Sequence, residues 1–245
     1  MIGDRELLAF RRDYYALFVS LLWREPAGEL LAALGQGLPA RTEAAAGLHP
    51  LLADGWREVE TYLGEVPADR RGEAVAEEYT RLFLGPLGHE LNPYESFYLT
   101  GRVLDRPLAV LRGFLAEIGF AKDERYAEPE DFLGFELDVM RRLVERQGEA
   151  GDPDRETRWL DLQAAFLKRH LLVWGPSAAR DLAEAPGARF YRGVGRLLQG
   201  FLDLERGLFE AWGPETVPSL DEVRRRFQGA GAWKGPLLDA GGPSQ

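Results

Sequence analysis

Three histidines, His49, His89 and His170, and no cysteine bound the chemistry open to this chain. Thiolate zinc sites, iron–sulfur ligation, disulfides and thiol nucleophiles all need cysteine, so they are excluded together. No histidine falls in a His-x-x-x-His or Glu-x-x-His pair, and a helical di-metal carboxylate site repeats the latter on two helices. Neither a metal site nor a cofactor is expected, and no catalytic residue is assigned. The only lysines are Lys122, Lys168 and Lys234, and no Gly-x-x-x-x-Gly-Lys-Ser/Thr stretch exists, which removes a P-loop. Among 245 residues, 40 are acidic and 30 basic, giving a formal charge of −10. Phosphate binding needs a concentrated cationic field, so a nucleic-acid groove is not expected and a basic partner suits the surface better.

Two polar side chains stand where apolar ones belong. In the helix predicted over 129–147, Glu136 falls in the middle of an arc formed by Phe132, Leu133, Leu137, Val139, Met140, Leu143 and Val144. On the helix predicted over 154–173, His170 shares the face of Trp159, Leu160, Phe166, Leu167, Leu171 and Trp174. A buried carboxylate must find a donor or take up a proton. A Glu136–His170 contact is therefore expected, as a structural pair locking two helices and not as an acid–base couple, because no nucleophile accompanies it.

Two segments are crowded with aromatics. Tyr79, Leu82 and Phe83 share a helical face that Gly85-Pro86 stops, and the stretch Asn92-Pro93-Tyr94-Glu95-Ser96-Phe97-Tyr98 follows. Such rings either pack a loop onto the core or hold a peptide, since aromatic anchors lose little rotamer entropy on binding. Further on, Glu128-Pro129-Glu130-Asp131-Phe132 reads as a helix start, with Pro129 at the first helical position and carboxylates in the first turn. Gly175-Pro176 is expected to end the helix that carries His170 and Trp174.

The elements that must position these residues are helical. Nearly every apolar segment follows the 3.6-residue period, β-branched residues are sparse and no hairpin signal is present, so the fold class is all-α. Helices are predicted over 4–24, 26–35, 41–47, 50–63, 70–84, 102–118, 129–147, 154–173, 176–184, 187–211 and 219–227. Residues 1–228 read as one helical bundle of about ten helices, with a candidate hinge near residue 125 between two subregions. Residues 85–101 and 120–128 read as long irregular connections, and 229–245, rich in Gly and Pro, as a mobile tail. Arg11-Arg12 ahead of an apolar stretch mimics an export signal. The flank also carries Asp4, Glu6 and Asp13, and Leu7, Phe10, Tyr14, Leu17, Phe18 and Leu21 lie on one helical face, which reads as the first helix of a soluble domain. No run reaches the length of a membrane span, and a cytoplasmic location is expected.

Taken in order, these segments resemble the TorD/DmsD/NarJ family, cytoplasmic chaperones that mature molybdenum-cofactor oxidoreductases and hold back their twin-arginine signal peptides. The resemblance runs from about Tyr79 to Tyr191. Its most specific part is Glu-Pro-x-Asp-His before an acidic, Leu-rich helix, present here as Glu128-Pro129-Glu130-Asp131-Phe132. Tyr79, Leu82-Phe83, Gly85-Pro86, Tyr94-Glu95-Ser96 and His170-Leu171-Leu172-Val173-Trp174 support it. Where the family has histidine this chain has Phe132, which cannot titrate or donate a hydrogen bond.

The resemblance implies a chaperone of the TorD-like fold, not an enzyme. Its implied partners are the catalytic subunit of a molybdopterin oxidoreductase and that subunit's N-terminal signal peptide, with the chaperone as monomer or homodimer. The peptide-binding residues it implies are Tyr79, Leu82, Phe83, Pro86, Tyr94, Glu95, Ser96, Phe97, Glu128, Asp131 and Phe132. A cationic, apolar signal needs carboxylates beside an aromatic groove, which these residue types could form. On that reading Asp131→Ala weakens client binding and spares the fold, and Glu136→Ala does the reverse. The alternatives are a NarJ-like assembly factor for a catalytic subunit that is not exported, and a helical nucleotide-binding enzyme.

Overall fold

Helix α1 (Arg5–Leu22) starts where the Asp4 carboxylate accepts the Glu6 N–H at 2.8 Å, satisfying one of the free donors of the first turn. In the computed structural model, which describes residues 4–85 and 90–228, the elements that follow are α2 (Gly28–Leu34), α3 (Leu38–Ala46), α4 (Pro50–Glu65), α5 (Arg71–Tyr79), α6 (Glu95–Thr100), α7 (Arg106–Glu117), α8 (Leu133–Gly148), α9 (Pro153–Phe166), α10 (Leu172–Glu184), α11 (Phe190–Phe209) and α12 (Leu220–Gln228). Turns of π-helix over Thr80–Leu84 and Leu167–Leu171 extend α5 and join α9 to α10. No strand occurs among the described residues, so the all-α expectation holds; a single bridge pairs Tyr94 with Phe132. Pro86 and the tail 229–245 lie outside the described residues.

The core is built across long sequence distances. Helices from before and after residue 125 interlock, α1 with α8 and α4 with α11, around buried Phe18, Leu52, Met140, Trp174, Tyr191 and Phe201. The α4–α11 crossing is close because glycines meet there. A Cβ on Gly55 would come within 2.8 Å of the Gly193 carbonyl oxygen, and one on Gly193 within 2.9 Å of the Gly55 oxygen. Only residues without a side chain let two helical backbones approach so far.

Arg11 is not exposed as its charge suggests. Its guanidinium is fully buried, donating to Glu205 of α11 at 2.6 and 2.8 Å, and the Tyr15 hydroxyl donates to the same carboxylate at 2.7 Å. The apparent export motif is thus half internal: Arg11 joins α1 to α11, and Arg12 pairs with Asp13 at the surface.

Several boundaries differ from expectation for identifiable reasons. Within the stretch read as irregular, Glu95–Thr100 is helical, because residue 131 caps it from outside. Helix α8 begins at Leu133 and not at Pro129, since Phe132 is drawn into extended geometry by its bridge to Tyr94. Gly175-Pro176 does not end a helix, and Pro176 lies inside α10. Proline cannot donate to the carbonyl four residues back, that of Leu172. Arg206 of α11 donates to that oxygen instead, at 3.2 Å.

Candidate functional site

The aromatic and acidic segments singled out from sequence converge on one junction. Tyr94 in the connection after α5 and Phe132 before α8 pair as a bridge, with Leu133 N–H donating to the Pro93 carbonyl and Glu95 N–H to the Asp131 carbonyl, both at 2.9 Å. Asp131 also accepts the Ser96 N–H on Oδ2 at 3.0 Å. Two loops far apart in sequence are thereby stitched by main chain, and the first turn of α6 is satisfied by a carboxylate from the other loop.

The inner layer of the junction is closed. Tyr79, Leu82, Glu95, Ser96, Asp131 and Phe132 are all buried, Asp131 completely. Neither Asp131 nor Glu95 presents its carboxylate to solvent: Asp131 Oδ2 accepts the Ser96 N–H and Glu95 meets His170, while Asp131 Oδ1 is buried with no hydrogen-bond partner among the described residues. Phe132 lies tilted against Tyr94 and edge-on to Trp23, with ring centroids 5.6 and 6.3 Å apart, so an apolar ring fills the position of the family histidine as part of the core. Phe83, Tyr94, Phe97 and Glu128 are half-buried.

The expected Glu136–His170 pair is not the one formed. Both groups are buried in the same network, but His170 Nδ1 lies 3.0 Å from Glu95, and the Trp174 indole N–H donates to Glu136 at 3.1 Å. The π-helical turn at Leu167–Leu171 shifts the register of the helix, which places His170 toward α6 and leaves Trp174 facing α8. Burial, together with the field of nearby Glu95, pushes the Glu136 carboxyl well above its ordinary range. Burial also raises Glu95, against the pull of His170.

The outer layer is open and aromatic. Trp23, at the end of α1, meets Tyr126 edge-on at 4.6 Å and Phe135 at 6.1 Å, and these rings wall a cleft of about 650 Å³. Two carboxylates follow the rings in sequence, Glu25 two residues after Trp23 and Glu128 two after Tyr126. Glu25 is exposed and accepts the Thr80 hydroxyl at 3.2 Å; Glu128 accepts the Tyr94 hydroxyl at 2.7 Å. Among the described residues neither carboxylate has a salt-bridge partner, while Asp123 and Asp138 on the cleft wall are paired with Arg125 and Arg142. Both unpaired charges act on Tyr79: burial and then the fields of Glu128 and Glu25 push its hydroxyl up to about 12. Sequence reasoning included Glu128 but missed Trp23, Glu25 and Tyr126. The one available signal was that Tyr126 lies in the long connection 120–128.

Asp131→Ala is consequently expected to act on the fold. It strips a buried acceptor from Ser96 N–H, at a cost of about 1–3 kcal/mol. Asp131→Asn, which keeps an oxygen, should lose less. Urea unfolding of the two variants checks this, and an Asp131→Ala protein as stable as the parent would show that the cap is dispensable.

Fold and site together define an all-helical protein whose motif-bearing loops are knotted into one junction with an acidic, aromatic rim. A family model described as Nitrate reductase delta subunit matches residues 46–180. Similar proteins include the Chaperone protein TorD of Aeromonas salmonicida (strain A449), 34% identical over 137 residues, covering 56% of this chain and 61% of that protein. The Chaperone protein TorD of Actinobacillus pleuropneumoniae serotype 7 (strain AP76) is 28% identical over 193 residues, 77% of this chain and 90% of that protein. In Photobacterium profundum the protein of the same name is 28% identical over 133 residues, 54% and 62% respectively. The match to the first of these spans less than two thirds of its length. The family model covers more than half of the chain, and the chain belongs to the nitrate reductase delta subunit family.

Proposed function

We propose that this protein is a cytoplasmic chaperone for a molybdopterin oxidoreductase, binding the twin-arginine signal peptide of its catalytic subunit reversibly and performing no bond chemistry. The relatives bear the name Chaperone protein TorD, which supports the class. The observation that carries the peptide reading is the pair of carboxylates without salt-bridge partners among the described residues, Glu25 and Glu128, two residues after Trp23 and Tyr126 respectively, whose rings meet. Two adjacent arginines would find two acceptors there, and the apolar stretch that follows them would find the aromatic cleft. No described helix is long and apolar enough to cross a membrane.

Isothermal titration with a synthetic peptide carrying Arg-Arg before an apolar stretch tests this. Affinity should fall as salt rises, because the acceptor charges lie near solvent. Replacing both peptide arginines by glutamine, or Trp23→Ala in the protein, should weaken binding by about tenfold or more, the scale of an interface anchor. Binding that ignores salt and survives the Glu25→Gln/Glu128→Gln double variant would refute the rim as the arginine site. Undiminished binding of a catalytic subunit lacking its N-terminal peptide would move the contact to the body of that subunit.

A further inference from the structure

On a different face, α6, α7, the π-helical turn Leu167–Leu171 and α12 enclose a second cleft, of about 640 Å³. That is the size of a small-molecule pocket. Its lining is apolar at Leu99, Val110, Val223 and Phe227 and polar at Lys168, Arg169 and His170. The carboxylates on its lining each have a mate: Glu95 with His170, Glu215 with Arg169 and Glu222 with Arg226.

Lys168 is the exception. Its side chain is buried, and among the described residues the ammonium donates only to two backbone carbonyls, Trp212 and Glu215, both at 2.6 Å. An ammonium has three N–H donors, so one is left for the cleft. Beside it, His170 spends Nδ1 on Glu95, and no hydrogen bond is made by its Nε2 among the described residues. The ammonium has no ion-pair partner among the described residues, although its field reaches the Glu215 carboxylate, and an anionic group brought to it would be bound in a poorly solvated place.

We infer that this cleft is a binding site for a monocarboxylate with an apolar body, the carboxylate taken by the Lys168 ammonium and the body by Val110, Val223 and Phe227. A single spare ammonium proton suits one negative charge and not a phosphate dianion. The source is either a free organic acid or the C-terminal carboxylate of a polypeptide ending in an apolar residue. Because α12 and the 214–218 segment form one wall, occupancy fastens the last described helix to the body. The inference does not depend on the signal-peptide reading, which concerns a cleft lined by other residues.

Titration of the full chain with 3-phenylpropanoate, with the neutral 3-phenylpropanamide, and with a short peptide ending in Phe as free acid or amide tests it. At least one of the acids should bind with one-to-one stoichiometry and outbind its amide by about tenfold to a hundredfold, the range for a hydrogen bond to a charged group. Binding of the peptide acid alone would assign the source to a partner's C-terminus, and binding of the small acid to a free metabolite. Lys168→Met should abolish the preference for acid over amide. Should that variant fail to fold, Thr216→Trp, at an exposed position on the cleft mouth, should lower affinity in a protein with unchanged circular dichroism. Equal affinity for acid and amide, no binding of either acid, or acid binding undisturbed in Thr216→Trp overturns the assignment.

Discussion

Glu205→Ala should destabilise this protein by about 3–5 kcal/mol, the cost of leaving a buried charge without its partner. Arg11 is fully enclosed, donates two hydrogen bonds to Glu205 and lies over the Phe209 ring at 5.0 Å, so it cannot swing out to water when the carboxylate goes. One nitrogen, Nη1, is buried and has no hydrogen-bond partner among the described residues even in the parent. The Tyr15 hydroxyl would be orphaned as well. The pair itself contributes little net stability, because taking two charges out of water is expensive. The double variant Arg11→Met/Glu205→Leu should therefore recover most of the loss. Urea midpoints at unchanged slope measure both effects. A single variant within about 1 kcal/mol of the parent would mean that Arg11 relaxes to solvent.

Glu136→Gln should reduce the pH dependence of stability. The folded protein raises this carboxyl well above its ordinary value of 4.5, mainly through burial and then through Glu95. The folded state thus holds a proton that the unfolded chain releases. Stability from this group is fully present below about pH 4.5 and is lost as pH rises toward the folded value. Glutamine does not titrate and keeps an oxygen for the Trp174 indole. The variant should match the parent near pH 4 and exceed it at pH 7.5. Urea unfolding at the two values decides; a difference independent of pH would show that Glu136 is ionised when folded.

Much of this architecture is legible in the residues, and the failures are local. The helical period places α1, α4, α8 and α11, because burial of one face needs no knowledge of the partner. Glu136 and His170 are identifiable as stranded polar groups for the same reason. Their mates are not, since a π-helical turn changes the register by one residue and nothing in Leu167–Leu171 announces it. Asp131 reads as a first-turn carboxylate because Glu-Pro-Glu-Asp is a good helix start. Its service to Ser96, 35 positions away, arises from a tertiary bridge that local spacing does not encode. The outer rim was missed because Trp23 and Glu25 belong to a different segment from Tyr126 and Glu128, and only the fold makes them neighbours.

The proline within α10 has a consequence for anyone redesigning this chain. Pro176 is tolerable there because a guanidinium on the neighbouring helix answers the Leu172 oxygen. Alanine at 176 would supply its own N–H and make that guanidinium redundant, freeing position 206 for other side chains. Alteration of Arg206 alone would leave the oxygen unanswered. The two sites therefore form a one-way dependency, in which the order of substitution decides whether an intermediate sequence is viable.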